Sequence, residues 1–506
     1  MRPVTRLARW TERLVPGAVL LLAVGAGALQ TAAFAPTEAW WLQPLALALL
    51  VALAWDASPR RAAWAGFFFG LGWLASGLWW LYISLHDYGH LAAPFAVAAV
   101  LLLAAFLSLY YAGSLWAFAR WRRPGAAARV GLFAALWLMA ELARAQWLTG
   151  FPWIASGYAH AVGPLAGWAP WIGVYGITAL AAGLAAALAA LALARAWAPL
   201  VAVLLLAGLP ALLPSSFTQA SGEIHLSLLQ PDVAQDQKFD RELWDRNLDA
   251  LLRQAESARG QLVLTPESVV PLPLAYLEPE VVQRIAAIGK ERPLLLGSFL
   301  GDDRTGFINS LVAVGAPVQP DGNAYSYGKR HLLPFGEFIP PGFHWFVQAL
   351  RIPLDDQATG THQRALVLGG QRIRPLICYE DLFGEDFAQS LVGPEAATVL
   401  ANVSNLAWFG PRMVQDQHLQ FSQMRSLEFQ RPLVRSTNTG ATAAIDHQGR
   451  VTARLPAEVP GVLEVLVQGR TGATPYARWL AALGLWPAWV LALAAVLALS
   501  RPARRA

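Results

Sequence analysis

Three residues in the second half of the chain could together carry out acyl transfer. Glu267 and Cys378 each follow a short apolar run, and Lys329 lies between them in the chain. A thiolate can attack a carbonyl carbon, a carboxylate can accept the thiol proton, and a cation can stabilise the resulting oxyanion. The chain has one cysteine, so it forms no internal disulfide. Cys378 is therefore either a small buried core residue, the commoner role of an unpaired cysteine, or a reactive thiol.

The use of lysine is also informative. Nearly every basic residue is an arginine, and lysine occurs only at Lys238, Lys290 and Lys329. Lysine supplies a compact ammonium group, whereas arginine supplies a planar fork of donors. Each lysine is thus either the product of drift or a position that requires an ammonium group, and composition leaves both interpretations open.

The elements around these residues are typical of a layered α/β domain. Apolar runs at 223–230, 261–264, 293–300, 307–314, 375–377, 397–403 and 433–445 predict strands. Residues 241–259 and 417–430 have helical periodicity. Such a domain places helices over its sheets, and the roughly 245 residues from 223 to 467 suffice for one core.

The rest of the chain is typical of a membrane protein. Of the 506 residues, 56% are hydrophobic and only 14% are charged, whereas soluble domains carry about 25% charged residues. A membrane-spanning helix needs about 20 apolar residues, so the first run is interpreted as a retained helix rather than a signal peptide. The predicted spans lie at about 14–36, 40–55, 62–85, 92–119, 130–147, 163–194, 196–213 and 479–500.

The arginines predict the orientation of these spans. Arginines precede the first span and follow the second, fourth, sixth and last, whereas residues 86–91 and 148–162 contain no Lys or Arg. By the positive-inside rule both termini are cytoplasmic, and the α/β domain is periplasmic in a cell with two membranes. The net charge of +5 therefore reflects topology and does not indicate nucleic-acid binding.

Two features of the membrane part are unusual. Glu141 and Arg144 lie three residues apart in one span, and charges there are either a structural ion pair or functional. Trp153 follows in the charge-free connection after that span. Interfacial tryptophans are usually membrane anchors, so this residue has an ordinary explanation as well.

The motifs around Glu267, Lys329 and Cys378, in that order, resemble the Glu-Lys-Cys triad of the nitrilase superfamily. Other segments resemble one branch of it, the apolipoprotein N-acyltransferases. These segments are 150–153, 327–338, 404–405 with 408–410, and 431–438. The resemblance implies a multi-span α-helical membrane bundle plus an α/β nitrilase-like (αββα sandwich) extracytoplasmic domain. The expected domains are a membrane domain of about seven helices (1–214), a catalytic domain (215–474), and a last transmembrane helix with a cytoplasmic tail (475–506).

The resemblance also implies a reaction, the last step of bacterial lipoprotein maturation in the inner membrane. The phospholipid acyl donor would pass its sn-1 chain to Cys378 as a thioester. The N-terminal amine of a diacylglyceryl-apolipoprotein acceptor would then take the chain. Glu267 would be the general base, and Lys329 would stabilise the oxyanion and favour the thiolate. No cofactor, metal or nucleic acid is expected.

Further residues receive expected roles from the same resemblance. Glu337, Tyr379 and Glu380 match supporting positions, although Glu337 and Glu380 could equally be structural hydrogen-bond partners. Possible substrate-loop or lipid-contact residues are Trp153, Arg144, Asn405 and Trp408. The chain departs from the family pattern at Leu406, where the family usually has Asp. If the loop that carries Leu406 gates access to the thioester, its motion as a lid or the substrate preference is expected to differ from that of the family.

Two other functions remain open on the sequence. A membrane-tethered nitrilase-type amidase could use the same triad on a small soluble substrate, but it would not need so many spans. A transporter with a degenerate regulatory domain is disfavoured, because the spans lack a central chain of ionisable groups.

Overall fold

The computed structural model describes residues 15–236, 241–342, 344, 356–361, 363–411 and 413–500. These residues form two compact units. The first contains the described residues up to Ser215 and from Leu483 onward, and the second contains those of Ser216–Ala482. The arginines before the first predicted span and those after the last lie outside the described residues, as does Lys238.

The first unit is helical. Its α-helices are Pro16–Thr31, Leu42–Ala54, Pro59–Gly77, Leu81–Ile83, Ala93–Trp121, Ala126–Gln146, Ala169–Ala194, Trp197–Gly208 and Trp486–Leu499. Glycine allows the first and third of these helices to approach closely, because a Cβ atom at Gly72 would overlap the carbonyl oxygen of Val24. Close backbone contact through small residues is typical of helix pairs in membranes.

Among the described residues, each of the eight predicted spans overlaps an apolar helix or a bent pair of helices, and these differ in length. Three helices in the described part of the chain are long and apolar enough to cross a membrane: Ala93–Trp121, Ala126–Thr149 and Pro164–Ala194. Two pairs bent by 64° and 90° raise this number to five if each pair is one span. The shorter apolar helices are Gly17–Thr31, Leu42–Ala54 and Trp197–Leu212. The number of spans therefore stays a prediction.

The second unit contains two six-stranded sheets. Its strands are β1 (Thr218–Gln230), β2 (Leu262–Leu264), β3 (Leu294–Asp302), β4 (Gly306–Val314), β5 (Ser326–Gly328), β6 (Leu366–Leu368), β7 (Gln371–Ile377), β8 (Val399–Ser404), β9 (Leu433–Thr437), β10 (Ala443–Ile445), β11 (Val451–Arg454) and β12 (Gly461–Gly472). The strand orders are β12-β1-β2-β3-β4-β5 and β11-β10-β9-β8-β7-β6.

Each sheet has a parallel centre and antiparallel edges. Strands β1, β2 and β3 are parallel, as are β7, β8 and β9. The two sheets are joined where the Ser436 hydroxyl shares its one proton between the carbonyl oxygens of Leu229 (2.8 Å) and Leu264 (3.0 Å). Catalytic groups commonly lie beyond the carboxyl ends of parallel strands. In this domain Glu267, Cys378 and Asn405 follow β2, β7 and β8.

Helices cover the sheets. Helices Arg241–Ser257 and Pro279–Glu291 contribute Leu251 and Ile285 to a buried cluster with the apolar residues of the first sheet. Helix Met413–Phe429 contacts β9 and β10 of the second sheet, and it is buried along most of its length. The described part of this unit also contains the α-helices Gly384–Phe387 and Pro475–Leu483.

Gly297 of β3 provides a test of how the Glu267 loop is packed. A Cβ atom at this position would overlap the carbonyl oxygen of Pro266. We expect Gly297→Ala to destabilise the domain by about 1–3 kcal/mol, because the Pro266–Glu267 backbone must move away from the strand. The measurement is the thermal unfolding midpoint in detergent. Gly461→Ala is the matched control, since its Cβ would make only ordinary contacts with Leu455. Equal midpoints for the two variants would contradict this account.

Candidate active site

Cys378 lies at a sharp change of backbone direction. It follows β7 directly and has a φ of 52°, a left-handed conformation that is uncommon for a residue with a side chain. A 3₁₀ turn, Cys378–Leu382, begins at the same residue. The strand and the turn therefore fix the thiol at the carboxyl end of β7, and its role as a nucleophile stays a prediction.

Lys329 is the centre of the buried charges. Its Nζ lies 3.0 Å from Oε1 of Glu267 and 2.7 Å from Oε1 of Glu337. Only 1% of the lysine side chain is exposed, and both carboxylates are nearly enclosed. The structure thus brings Glu267 together with Lys329 and Glu337, which lie eight residues apart in the segment after β5.

Other groups hold the two carboxylates in place. Asn309 on β4 donates from Nδ2 to Oε1 of Glu267 (2.8 Å) and to Oε1 of Glu337 (3.0 Å). The backbone N–H of Asn405 donates to Oε2 of Glu267 (3.0 Å), and that of Leu333 donates to Oε2 of Glu337 (2.8 Å). Asn309 was not predicted from the sequence, where its only signal was an amide within an apolar strand.

The surrounding groups set the charge state of the thiol. Burial and the charge of Glu267 raise the pKa of Cys378 well above its ordinary value, and Lys329 lowers that pKa by less. Burial also works to raise the pKa of Glu267, but Lys329 and the donated hydrogen bonds bring that pKa below its ordinary value. The resting site is therefore a neutral thiol beside a carboxylate. Lys329 shifts the thiol pKa in the expected downward direction, but burial and the carboxylates outweigh this single cation.

Glu380 connects three parts of the site. Its carboxylate accepts hydrogen bonds from the Tyr327 hydroxyl (2.6 Å), from the N–H of Arg330 (2.8 Å) and from the N–H of Ile377 (2.7 Å). These contacts tie the lysine loop to the end of β7. Tyr379 is buried, and its ring meets that of Phe383 at 5.0 Å between centroids.

The loop after β8 reaches the site through Asn405. Besides its backbone contact with Glu267, this residue donates from Nδ2 to Gln235 (2.9 Å) and accepts from Asn438 (3.0 Å). Leu406 beside it is 1% exposed, whereas Trp408 is 36% exposed. The departure from the family pattern at Leu406 therefore places an apolar side chain in a buried position.

Arg144 and Trp153 belong to the first unit. The Arg144 side chain is fully enclosed: it pairs with Glu141 (2.7 Å) and donates to the carbonyl oxygens of Phe151 (2.6 Å) and Trp153 (2.9 Å). The Trp153 ring packs on Trp80, with 5.0 Å between centroids. These contacts hold the loop after helix Ala126–Gln146, and the lipid contacts expected of both residues stay predictions.

A cleft opens beside Glu267 in the second unit. It has a volume of about 430 Å³ and is open to solvent. Its lining is mostly apolar and consists of Pro231, Val233, Trp244, Asn247, Leu248, Leu251, Pro266, Glu267, Val269 and Asn438. Among the described residues, no group of three or more His, Cys, Asp or Glu is arranged to hold a metal ion.

Comparison with known proteins establishes the family. The model for the N-terminal domain of apolipoprotein N-acyltransferase matches residues 26–187, and the carbon-nitrogen hydrolase model matches residues 230–476. An apolipoprotein N-acyltransferase from Ralstonia nicotianae is 46% identical over 468 residues, covering 90% of this chain and 89% of that protein. One from Verminephrobacter eiseniae is 43% identical over 479 residues, covering 88% of this chain and 89% of that protein. The chain belongs to the apolipoprotein N-acyltransferase family.

Family membership confirms several predictions made from the motifs. The enzyme class, the helical membrane part and the nitrilase-like α/β domain are confirmed. Among solved structures, a CN-hydrolase superfamily protein from Xanthomonas campestris is 18% identical with a TM-score of 0.36, covering 52% of this chain and 96% of that chain. The roles of individual residues, the domain limits and the side of the membrane stay predictions.

The single thiol allows the charges around Cys378 to be measured directly. Alkylation by iodoacetamide follows the thiolate fraction, so its rate should rise with pH, with a midpoint above about 8.5, the ordinary cysteine pKa. Glu267→Gln removes a neighbouring negative charge and should lower this midpoint. The measurement is the alkylation rate of the full-length protein in detergent across the alkaline range.

The control for this titration is Ser426→Ala, which alters a buried hydroxyl on helix Met413–Phe429 and should leave the midpoint unchanged. A midpoint below about 8.5 in the unaltered chain would mean that Lys329 outweighs burial and the carboxylates. That result would contradict the charge state described above.

Proposed function

We propose that this chain transfers an acyl chain from a phospholipid to the N-terminal amine of a diacylglyceryl-apolipoprotein, through a thioester on Cys378. The observation that carries this proposal is the enclosed set of Cys378, Glu267 and Lys329. It supplies a nucleophile, a base and a cation for one carbonyl group. The family membership of the whole chain supplies the class of reaction.

The first half-reaction forms the thioester. Sγ of Cys378 attacks the ester carbonyl carbon at the sn-1 position while Glu267 accepts the thiol proton. Lys329 stabilises the negative charge that develops on the carbonyl oxygen. The carbon–oxygen bond then breaks, the leaving oxygen takes the proton from Glu267, and a lysophospholipid departs.

The second half-reaction consumes the thioester. The neutral amine of the acceptor attacks the thioester carbonyl, and Glu267 accepts a proton from the attacking nitrogen. The carbon–sulfur bond breaks, and the proton returns from Glu267 to the departing sulfur. An amide is formed and the resting thiol is restored, so the enzyme needs no net change in its own protonation.

The charges around Lys329 suit this internal proton transfer. One ammonium group faces two carboxylates, and the neutral thiol adds no further charge. Moving the proton from Cys378 to Glu267 exchanges one anion for another beside the same cation. The net charge of the enclosed site is constant, which avoids the cost of creating a new charge away from water.

The apolar helices have a purpose in this reaction. Exposing an acyl chain to water costs about 0.8 kcal/mol per methylene, so an enzyme that acts on lipids benefits from working at the membrane. Our proposal keeps the predicted topology, with both termini cytoplasmic and the catalytic domain periplasmic at the inner membrane. Within it, Trp408 is an exposed aromatic residue of the loop after β8, and we propose it as a lipid contact.

The supporting residues have distinct proposed roles. Glu337 and Asn309 fix the direction of Lys329 and Glu267, and Glu380 fixes the lysine loop against β7. Asn405 aligns the second oxygen of Glu267 through its backbone N–H. The small-substrate amidase is not favoured, since relatives of the acyltransferase family cover both the helical part and the α/β domain.

Direct detection of the acyl-enzyme tests this proposal. Incubation with a phospholipid in detergent should increase the intact mass by one acyl group, and hydroxylamine should remove it. Addition of a diacylglyceryl-cysteine peptide should also remove it and give an N-acylated peptide. Cys378→Ala should show no increase, since it lacks the only thiol. A folded, unaltered protein that never gains the acyl mass would refute the proposal.

A further inference from the structure

The carbonyl oxygen of Cys378 accepts two buried hydrogen bonds. Nδ2 of Asn402 lies 3.0 Å away and Nε2 of His418 lies 3.1 Å away. Because Cys378 has a positive φ, its backbone is strained and needs support from its surroundings. Both donors therefore hold the peptide bond that follows Cys378, whereas β7 precedes this residue in the chain.

The hydrogen bonds of His418 define its tautomer. Nη2 of Arg435 lies 3.1 Å from Nδ1 of His418, and a guanidinium group can only donate. Nδ1 is therefore the acceptor, and the proton of the neutral ring is on Nε2. That proton is shared between the carbonyl oxygen of Cys378 and Oδ1 of Asp381, which is 2.8 Å from Nε2. Burial lowers the pKa of His418, which agrees with a neutral ring.

Asp381 completes the arrangement. Its Oδ2 accepts from the Ser422 hydroxyl (2.6 Å) and from Nη1 of Arg435 (3.3 Å). The side chains of Asp381, His418 and Arg435 are fully buried. A buried ion pair often contributes little to stability, because desolvation offsets the attraction. A contribution to folding stability therefore does not by itself explain why Asp381 and Arg435 are buried next to His418.

We propose that Asp381, His418 and Arg435 are positioning residues that fix the Cys378 peptide, so that Sγ is held toward Glu267. Arg435 and Asp381 orient the imidazole ring, and the ring holds the carbonyl of the nucleophile. The expected effect of these residues on acylation by phospholipid rests on the proposed function. Their effect on the reactivity of the thiol is independent of any lipid substrate.

Two substitutions at His418 separate positioning from packing. Leucine removes the N–H donor, whereas glutamine carries both a donor and an acceptor and can replace both ring nitrogens. We expect His418→Leu to slow alkylation of Cys378 and its acylation by phospholipid by roughly tenfold to a hundredfold, as expected for one lost buried hydrogen bond. His418→Gln should restore both rates to within about threefold of the unaltered chain, and the half-saturating phospholipid concentration should be unchanged in both.

A stability-matched control comes from the same helix. Met424→Ala removes a fully buried side chain of helix Met413–Phe429 and should lower the unfolding midpoint without slowing either rate. All variants are assayed as the full chain in detergent, with iodoacetamide for the thiol and a defined phospholipid for acylation.

The outcomes distinguish the two proposals. Unchanged rates in His418→Leu, equal losses in Met424→Ala, or no recovery in His418→Gln would each overturn the positioning role. Absence of a thioester in the unaltered chain would refute the proposed function alone, since alkylation would still report on positioning. Slow alkylation in His418→Leu, with recovery in His418→Gln and none of this effect in Met424→Ala, supports the inference.

Discussion

The active site depends on one ammonium group buried between two carboxylates. Lys329 and Glu337 come from one segment after β5 and Glu267 comes from the loop after β2, so the ammonium group joins two parts of the chain. Removing one partner of a buried pair leaves an uncompensated charge, at a cost of about 3–5 kcal/mol. The charges therefore enforce the approach of the loops that carry them, and the same approach gives the thiol its base and the carbonyl group its cation.

The thiol itself is controlled from two sides. On one side burial and the carboxylate of Glu267 keep Cys378 protonated, and on the other side Asn402 and His418 donate hydrogen bonds to its carbonyl oxygen. The first contact governs when the sulfur becomes nucleophilic. The second governs where the sulfur points. Because different groups control the protonation and the direction of the sulfur, the thiol can stay protonated, and so less open to side reactions, while it already points toward its base.

Much of this organisation was predictable from the sequence, because apolar runs identify strands and the triad residues follow them. Helix Arg241–Ser257 lies where the pattern put it, and β7 contains the predicted run 375–377 but begins earlier, at Gln371. Helix Pro279–Glu291 and strand β12 were missed. Asn309 and His418 were not predicted, since a polar residue inside a buried element has no local signal of its partner. The raised pKa of Cys378 was not predictable either, because it is a balance of opposing effects that requires distances.

The pairing of the first and last strands has a consequence for biosynthesis. Strand β1 lies between β2 and β12, and Thr218 pairs with Gly472, more than 250 residues later in the chain. During translation, β1 therefore exposes one open edge until almost the whole protein has been made. Contacts of such long sequence separation form slowly, and open strand edges invite wrong pairings. The nascent domain thus requires protection from wrong strand pairing over that interval. Truncation shortly before β12 would leave β1 as a permanently unpaired edge strand.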